Sequence, residues 1–185
     1  MAKRSAGVLM FRRKAGEPEI FLVHPGGPFW AKKDLGSWSI PKGEYGDEED
    51  PLEVARREFF EETGFEANGK FQELTMIVQP SGKRVRAWAF EGDCDADAVT
   101  SNTFPLEWPP KSGRKVEFPE VDRAGWFDVG LCRQKILKGQ VGFIDQLCAL
   151  LGHHFPDGGD EMENCVDLDH DSRLAFKRKK QNHGR

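Results

Sequence analysis

Three glutamates, Glu58, Glu61 and Glu62, fall within a single turn and a half of a candidate helix in the stretch Gly43 to Phe65, which reads GEYGDEEDPLEVARREFFEETGF. A helix turns by about 100° per residue, so this spacing gathers the three carboxylates on one arc of roughly 100°. Glu58 and Glu62 stand at i and i+4, where like charges destabilise a helix unless something neutralises them. Oxygen ligands grouped in this way suit a divalent cation such as Mg2+. A site of that kind can neutralise a polyphosphate and align water, which is what hydrolysis of a phosphoric anhydride requires. Arg57 sits inside the cluster, where it can pair with Glu49 and hold the preceding loop against the helix. A solvated acidic face is the competing reading, and the uncompensated i,i+4 repulsion weighs against it.

The flanking residues define the element that must carry these groups. Asp50 is a good N-cap, Pro51 suits the first helical position and Glu53 completes a capping box, so a helix is expected to start here and to stop at Gly64. Leu52, Ala55, Phe59, Phe60 and Thr63 fall on the arc opposite the glutamates and are expected to face a core. Before the helix, Trp38-Ser39-Ile40-Pro41-Lys42-Gly43 reads as an apolar strand end running into a turn, which can bring backbone carbonyls to the same cation.

Gly43, then Glu49, then Arg57-Glu58-Phe59-Phe60-Glu61-Glu62-Thr63-Gly64-Phe65 fills every fixed position of the signature of the Nudix hydrolases, and the stretch resembles that family over about 23 residues. A looser resemblance extends from near Ser5 to near Leu151. The resemblance implies an α/β/α sandwich around a mixed sheet, with the acidic helix on one face and a closing helix on the other; the pattern alone gives only a mixed α/β domain. It implies a metal site of Glu58, Glu61 and Glu62 with the Gly43 carbonyl, holding Mg2+ or Mn2+. It also implies a further carboxylate about six residues before a Trp that starts the last strand; Glu120 before Trp126 fits, with Glu117 in reserve. Glu58, Glu61, Glu120 and Arg57 are thus the expected catalytic residues, with Glu58 and Glu120 the first candidates for general base. The Trp38 to Gly43 stretch and the Glu120 to Trp126 spacing resemble diadenosine tetraphosphate hydrolases, making a dinucleoside polyphosphate the leading substrate. A Tyr common in those enzymes some 17 residues past the box is missing, and Tyr45 is the only tyrosine. Pro80 is reminiscent of ADP-ribose pyrophosphatases; nucleoside triphosphates and RNA 5′ ends are the other open substrates. A non-catalytic nucleotide- or RNA-binding module is the alternative of another class, for which a degenerate box would be the sign; this box is intact.

The rest of the chain supplies the surroundings. Ser5 to Arg12 and Glu19 to His24 read as strands joined by a polar turn. The loop His24 to Lys33 is rich in Pro and Gly and places Phe29 and Trp30 beside Lys32 and Lys33. Rings beside cations suit a nucleotide, and packing back onto the sheet is the equal alternative. His24 reads as structural, since nothing in sequence pairs with it. Phe71 to Gln79 and Arg84 to Glu91 are expected strands, with Trp88 in the second. Lys42, Trp30, Lys32 and Trp88 are the candidate substrate-binding residues. Ser101 to Phe118 is expected to be a long loop, locally basic through Lys111, Arg114 and Lys115. Ala124 to Phe127 reads as the last strand, and Val129 to Leu137 and Val141 to Leu151 as helices.

Composition permits one domain, expected over residues 1–151, followed by a charged tail, 152–185. The segment Asp157 to Asp171 holds seven acids and no Lys or Arg, whereas Arg173 to Arg185 holds six bases and no acid, the segregation of a flexible tail. Within it, Lys177-Arg178-Lys179-Lys180 could touch RNA or an import receptor, though a solvating role is the stronger reading, and C-x4-H spacings at Cys148 and Cys165 are not usual zinc spacings. A formal charge of -4 offers no global attraction to nucleic acid or acidic membranes. Four cysteines without a CxxC pair point to reduced thiols and the cytoplasm, and no stretch has the length of a signal peptide or membrane span. The expected partner is therefore a small nucleotide, with RNA ends the one nucleic-acid exception, and the oligomeric state is not legible.

Overall fold

The computed structural model describes residues 3–153. Eight strands and three helices follow one another as β1 (Arg4–Lys14), β2 (Glu17–Pro25), β3 (Lys42–Glu44), α1 (Pro51–Thr63), β4 (Gln72–Val78), β5 (Arg84–Glu91), β6 (Thr103–Glu107), β7 (Lys115–Pro119), β8 (Val121–Asp128), α2 (Val129–Lys135) and α3 (Val141–Leu150). The main sheet runs β4-β5-β1-β2-β8, with β3 paired to β1, and is mixed because β1 and β5 are parallel while the other pairs are antiparallel.

β1 and β2 read as continuous apolar runs because both faces of the sheet are covered. Leu9, Phe11, Ile20 and Leu22 point into a core closed by Phe143, Ile144 and Leu147 of α3 and by Cys132 of α2. Ala6, Val8, Met10, Phe21 and Val23 point the other way, onto Val54, Ala55 and Phe59 of α1. The expected α/β/α sandwich is therefore the architecture. Phe59 and Phe143 are fully buried, and each stabilises the layer it joins by about 1.5–3 kcal/mol.

β1 and β2 pair directly only near their hairpin, from Phe11 opposite Ile20 to Lys14 opposite Glu17. Toward the other end they splay, and the chain from Trp38 to Glu44 fills the gap. Ser39 bridges to Val23, Val8 N donates to Pro41 O at 3.1 Å, and Ser5 to Gly7 pair with Glu44 to Lys42. The splay is what carries Gly43 to the edge of α1.

Several expectations shift. The segment Ser101 to Phe118 is not a loop: it holds the antiparallel hairpin of β6 and β7, where half-buried Phe104, Leu106, Val116 and Phe118 alternate with exposed residues. Pro105 is tolerated because a two-stranded ribbon is all edge. Phe60 is 48% exposed, leaving Val54, Ala55, Phe59 and Thr63 as the buried face of α1. The last strand is longer than expected, Val121–Asp128, and the helix after it stops at Lys135. The charged tail, including the Cys165 and Lys177 to Lys180 readings, lies outside the described residues beyond His153.

Candidate active site

α1 begins as its sequence dictates. Asp50 accepts hydrogen bonds from Leu52 N at 2.9 Å and Glu53 N at 3.1 Å, Pro51 occupies the first turn, and Gly64 ends the helix in the left-handed region at φ 76°. Only half of the expected capping box forms, because the Glu53 carboxylate accepts from Arg56 Nη1 at 3.2 Å instead of reaching back to the cap.

Arg57 organises the acidic face. Its Nη1 donates to Glu49 Oε1 at 3.1 Å, its Nη2 to Glu58 Oε1 at 3.3 Å, and its Nε lies 3.8 Å from Glu61 Oε1. Glu49 in turn accepts from Gly46 N at 2.7 Å, so the loop before the helix is tied to the cluster through one guanidinium. Glu58 rests directly on Gly43: a Cβ at position 43 would overlap its carboxyl group, so only glycine lets the β3 backbone and this carboxylate share the space. Glu62 accepts from Lys42 N at 3.1 Å.

Burial pushes the Glu62 carboxyl up to about 7, only partly offset by Lys42, with Glu58 and Glu120 adding repulsion. Burial likewise raises Glu58, against the hydrogen bond from Arg57 and with repulsion from Glu61 and Glu120. Burial lowers the Lys42 ammonium, against the attraction of Glu62. Arg57 and Lys42 thus only partly compensate carboxylates held in poorly solvated positions. Among the described residues no three acidic, thiol or imidazole groups already converge as a coordination set. Glu58, Glu61 and Glu62 are instead turned toward Arg57 and the Lys42 amide, yet the donor set, hard oxygens short of counter-charge, fits a divalent cation.

Glu120 reaches the same place from far along the chain. It lies between β7 and β8, exposed, where Glu120 N donates to Asn102 O at 2.8 Å and Asn102 N donates to Glu61 O at 2.9 Å. Two backbone steps thus link Glu120 to the cluster helix. Glu117 is instead an exposed residue of β7 opposite Pro105.

The expected substrate residues divide. Lys42 is partly buried beside Glu62. Trp30 is half-buried with Lys33 Nζ 4.3 Å from its ring centroid, and Lys32 is exposed on the same loop. Trp88, by contrast, belongs to the core beneath α1 at 6% exposed, with Arg86 over its ring at 5.2 Å; a base cannot stack on it, because β5 turns it inward alongside Phe90. His24 is fully buried, with Nδ1 2.6 Å from Asp122 Oδ1 and Nε2 2.9 Å from Lys33 O, so its role is to hold that loop. Sequence reasoning passed over Asn102 and Gln140. The buried Gln140 accepts from Ile40 N at 3.2 Å and so fixes the strand leading to Gly43 across 100 positions. No local pattern marks such a partner.

The family model for the NUDIX domain matches residues 1–147. An RNA pyrophosphohydrolase of Bartonella henselae is 29% identical over 146 residues, 69% of this chain and 76% of that protein. Among solved structures, the binary complex of a C. elegans Ap4A hydrolase is similar with a TM-score of 0.58 at 20% identity, covering 83% of this chain and 100% of that one. The NUDIX domain of Shewanella oneidensis NrtR complexed with ADP ribose is similar with a TM-score of 0.57 at 13% identity, over 82% of this chain and 89% of that one. At such identities the two structures speak for the fold, and the family match covers most of the chain. The protein therefore belongs to the Nudix hydrolases, enzymes acting on nucleotide-linked diphosphates.

Proposed function

We propose that the protein is a Mg2+-dependent pyrophosphohydrolase, with Mn2+ able to substitute, whose substrate is a dinucleoside polyphosphate. The observation that carries this reading is the packing of Glu58 on the Gly43 backbone, within electrostatic reach of Glu61 and Glu120. Glu58, Glu61, Glu62, Glu120 and the Gly43 carbonyl are the groups that would hold the metal. Bound there, it would neutralise the phosphoanhydride oxygens and lower the pKa of the attacking water. Arg57 fixes Glu49 and Glu58 in place, and Lys42, whose amide holds Glu62, is the residue read as meeting the phosphates. Glu58 and Glu120 are the candidate proton acceptors: Glu58 because burial raises its affinity for a proton, Glu120 because it is exposed to approaching water.

The relative from Bartonella supports a second reading, removal of pyrophosphate from RNA 5′ ends. Residues 1–151 are read as the catalytic domain and 152–185 as a charged appendage. Three free thiols among the described residues accord with a reducing compartment such as the cytoplasm, and no described helix is long and apolar enough to cross a membrane. The test is chromatographic product analysis with Mg2+ against diadenosine polyphosphates, ADP-ribose, nucleoside triphosphates and triphosphorylated RNA. Turnover of the diadenosine polyphosphates, abolished in Glu62→Gln, supports the leading reading; preference for RNA transfers it to the second. Nucleotide binding without Mg2+ and without any product would sink both in favour of a binding module.

A further inference from the structure

Two segments that the catalytic cluster does not use meet beside it. The loop between β2 and β3 and the β6–β7 hairpin are joined at their bases by a close backbone approach: Gly26 N donates to Glu120 O at 2.9 Å, and a Cβ on Gly26 would overlap Pro119 O. Farther out, Phe29 of the loop and Trp108 at the hairpin tip stand edge to face, with ring centroids 5.6 Å apart and planes at 86°. Phe29 is 59% exposed although a ring of that size gains from burial, so this aromatic pair is held in place with one face left to solvent. Lys111 and Arg114, in the turn that joins β6 to β7, and Lys32 on the loop are exposed and have no carboxylate partner among the described residues.

Aromatic rings interleaved with unpaired cations form the surface that single nucleotides and their phosphates favour, because any base has a π-face to stack and the cations follow the phosphates. A lone exposed Phe would need no explanation, and a basic turn by itself would be a solvated one. Here the rings come from two segments, pack on each other, and share their base with Glu120. β6 carries the chain about 20 Å from Asn102, which is bonded to the cluster helix, to Trp108. That distance calls for a polyphosphate bridge between the carboxylates and the rings, which a mononucleotide bound at the cluster does not supply.

We infer that the Phe29–Trp108 pair is a second base-binding subsite, which stacks the distal nucleobase of the substrate while Lys32, Lys111 and Arg114 line the intervening phosphates. The inference rests on the dinucleoside polyphosphate reading proposed above and names the part of the protein that selects a second base. The test compares diadenosine tetraphosphate with adenosine tetraphosphate, which has the same phosphates and one base fewer. Wild-type protein is expected to show a KM for the two-base substrate roughly tenfold below that for the one-base substrate. Phe29→Ala/Trp108→Ala loses this discrimination, and Trp108→Phe, which keeps a ring, retains most of it. Equal KM values in wild-type protein, or discrimination that persists in the double alanine variant, overturn the subsite. Should wild-type protein hydrolyse neither compound, the substrate reading fails separately. The subsite is then decided by calorimetric titration with the same two compounds: tighter two-base binding that the double variant loses supports it, and equal affinities overturn it.

Discussion

Glu62 and Gly43 show how much of the site turns on single atoms. The Glu62 side chain is held by the Lys42 amide, and burial raises its affinity for a proton. Glu62→Gln keeps the shape and removes the charge, so kcat is expected to fall by at least about 100-fold and the Mg2+ concentration for half-maximal rate to rise. Steady-state kinetics over a Mg2+ series measures both. Gly43→Ala acts on the same site through sterics alone: the new methyl occupies the Glu58 carboxyl position, and activity should drop comparably while overall helicity by circular dichroism is retained. Glu120→Gln and Glu117→Gln separate the two loop carboxylates. The first is expected to lower kcat because Glu120 is coupled to Glu58 and Glu62, whereas the second lies in the ribbon and should stay within about twofold of wild type, the scale of a surface change.

At the scale of elements, α1 is a cartridge inserted by its ends. Loss of the Asp50 cap bonds in Asp50→Ala should cost about 1 kcal/mol and lower Tm by about 2–4 °C in a thermal melt. The loop that carries Trp30 and Lys32 is pinned differently. Asp34 accepts from Lys135 Nζ at 2.7 and 2.8 Å and from Trp38 Nε1 at 2.9 Å, and these bonds hold its carboxyl below the usual Asp range, the Lys135 bond contributing most. A depressed folded-state pKa stabilises above the unfolded value near 3.9 and is lost as pH falls through the lower folded value. The Tm advantage of wild type over Asp34→Asn should therefore be present at pH 6 and shrink as pH falls below about 4. A constant gap across that range would refute the linkage.

The described residues build two apolar layers on the main sheet, and one of these layers seats the helix that carries the glutamates. Phe59 packs on Phe21 at 6.2 Å and Phe90 at 5.8 Å between centroids, directly behind Glu58. Phe59→Ala is expected to cost about 3–5 kcal/mol in denaturant unfolding and to lower activity as well, because the helix face that carries the glutamates loses its seat. Phe143→Ala should cost a similar amount in stability, with kcat on the surviving folded protein near wild type, since Phe143 packs in the layer opposite the one that seats α1. Addition of Mg2+ should raise the Tm of wild type and much less that of Glu62→Gln, by mass action on the folded state.

The box from Gly43 to Phe65 was legible without coordinates because its information is local: a cap, a helical period and a stop suffice to align Glu58, Glu61 and Glu62. The strand and helix patterns by themselves gave a mixed α/β domain, and the layered sandwich came with the resemblance carried by the box. Tertiary structure alone decided what depends on distant pairing. It bonded Asn102 to the helix that carries the glutamates, turned Trp88 into the core, made a ribbon of the segment expected as a loop, and set Phe29 against Trp108. Sequence spacing reports which side chains share a helix face, because that geometry repeats every few residues. Which face a strand residue shows to a ligand, or which loop meets which, follows from register and packing across the sheet, where partners stand up to 100 positions apart.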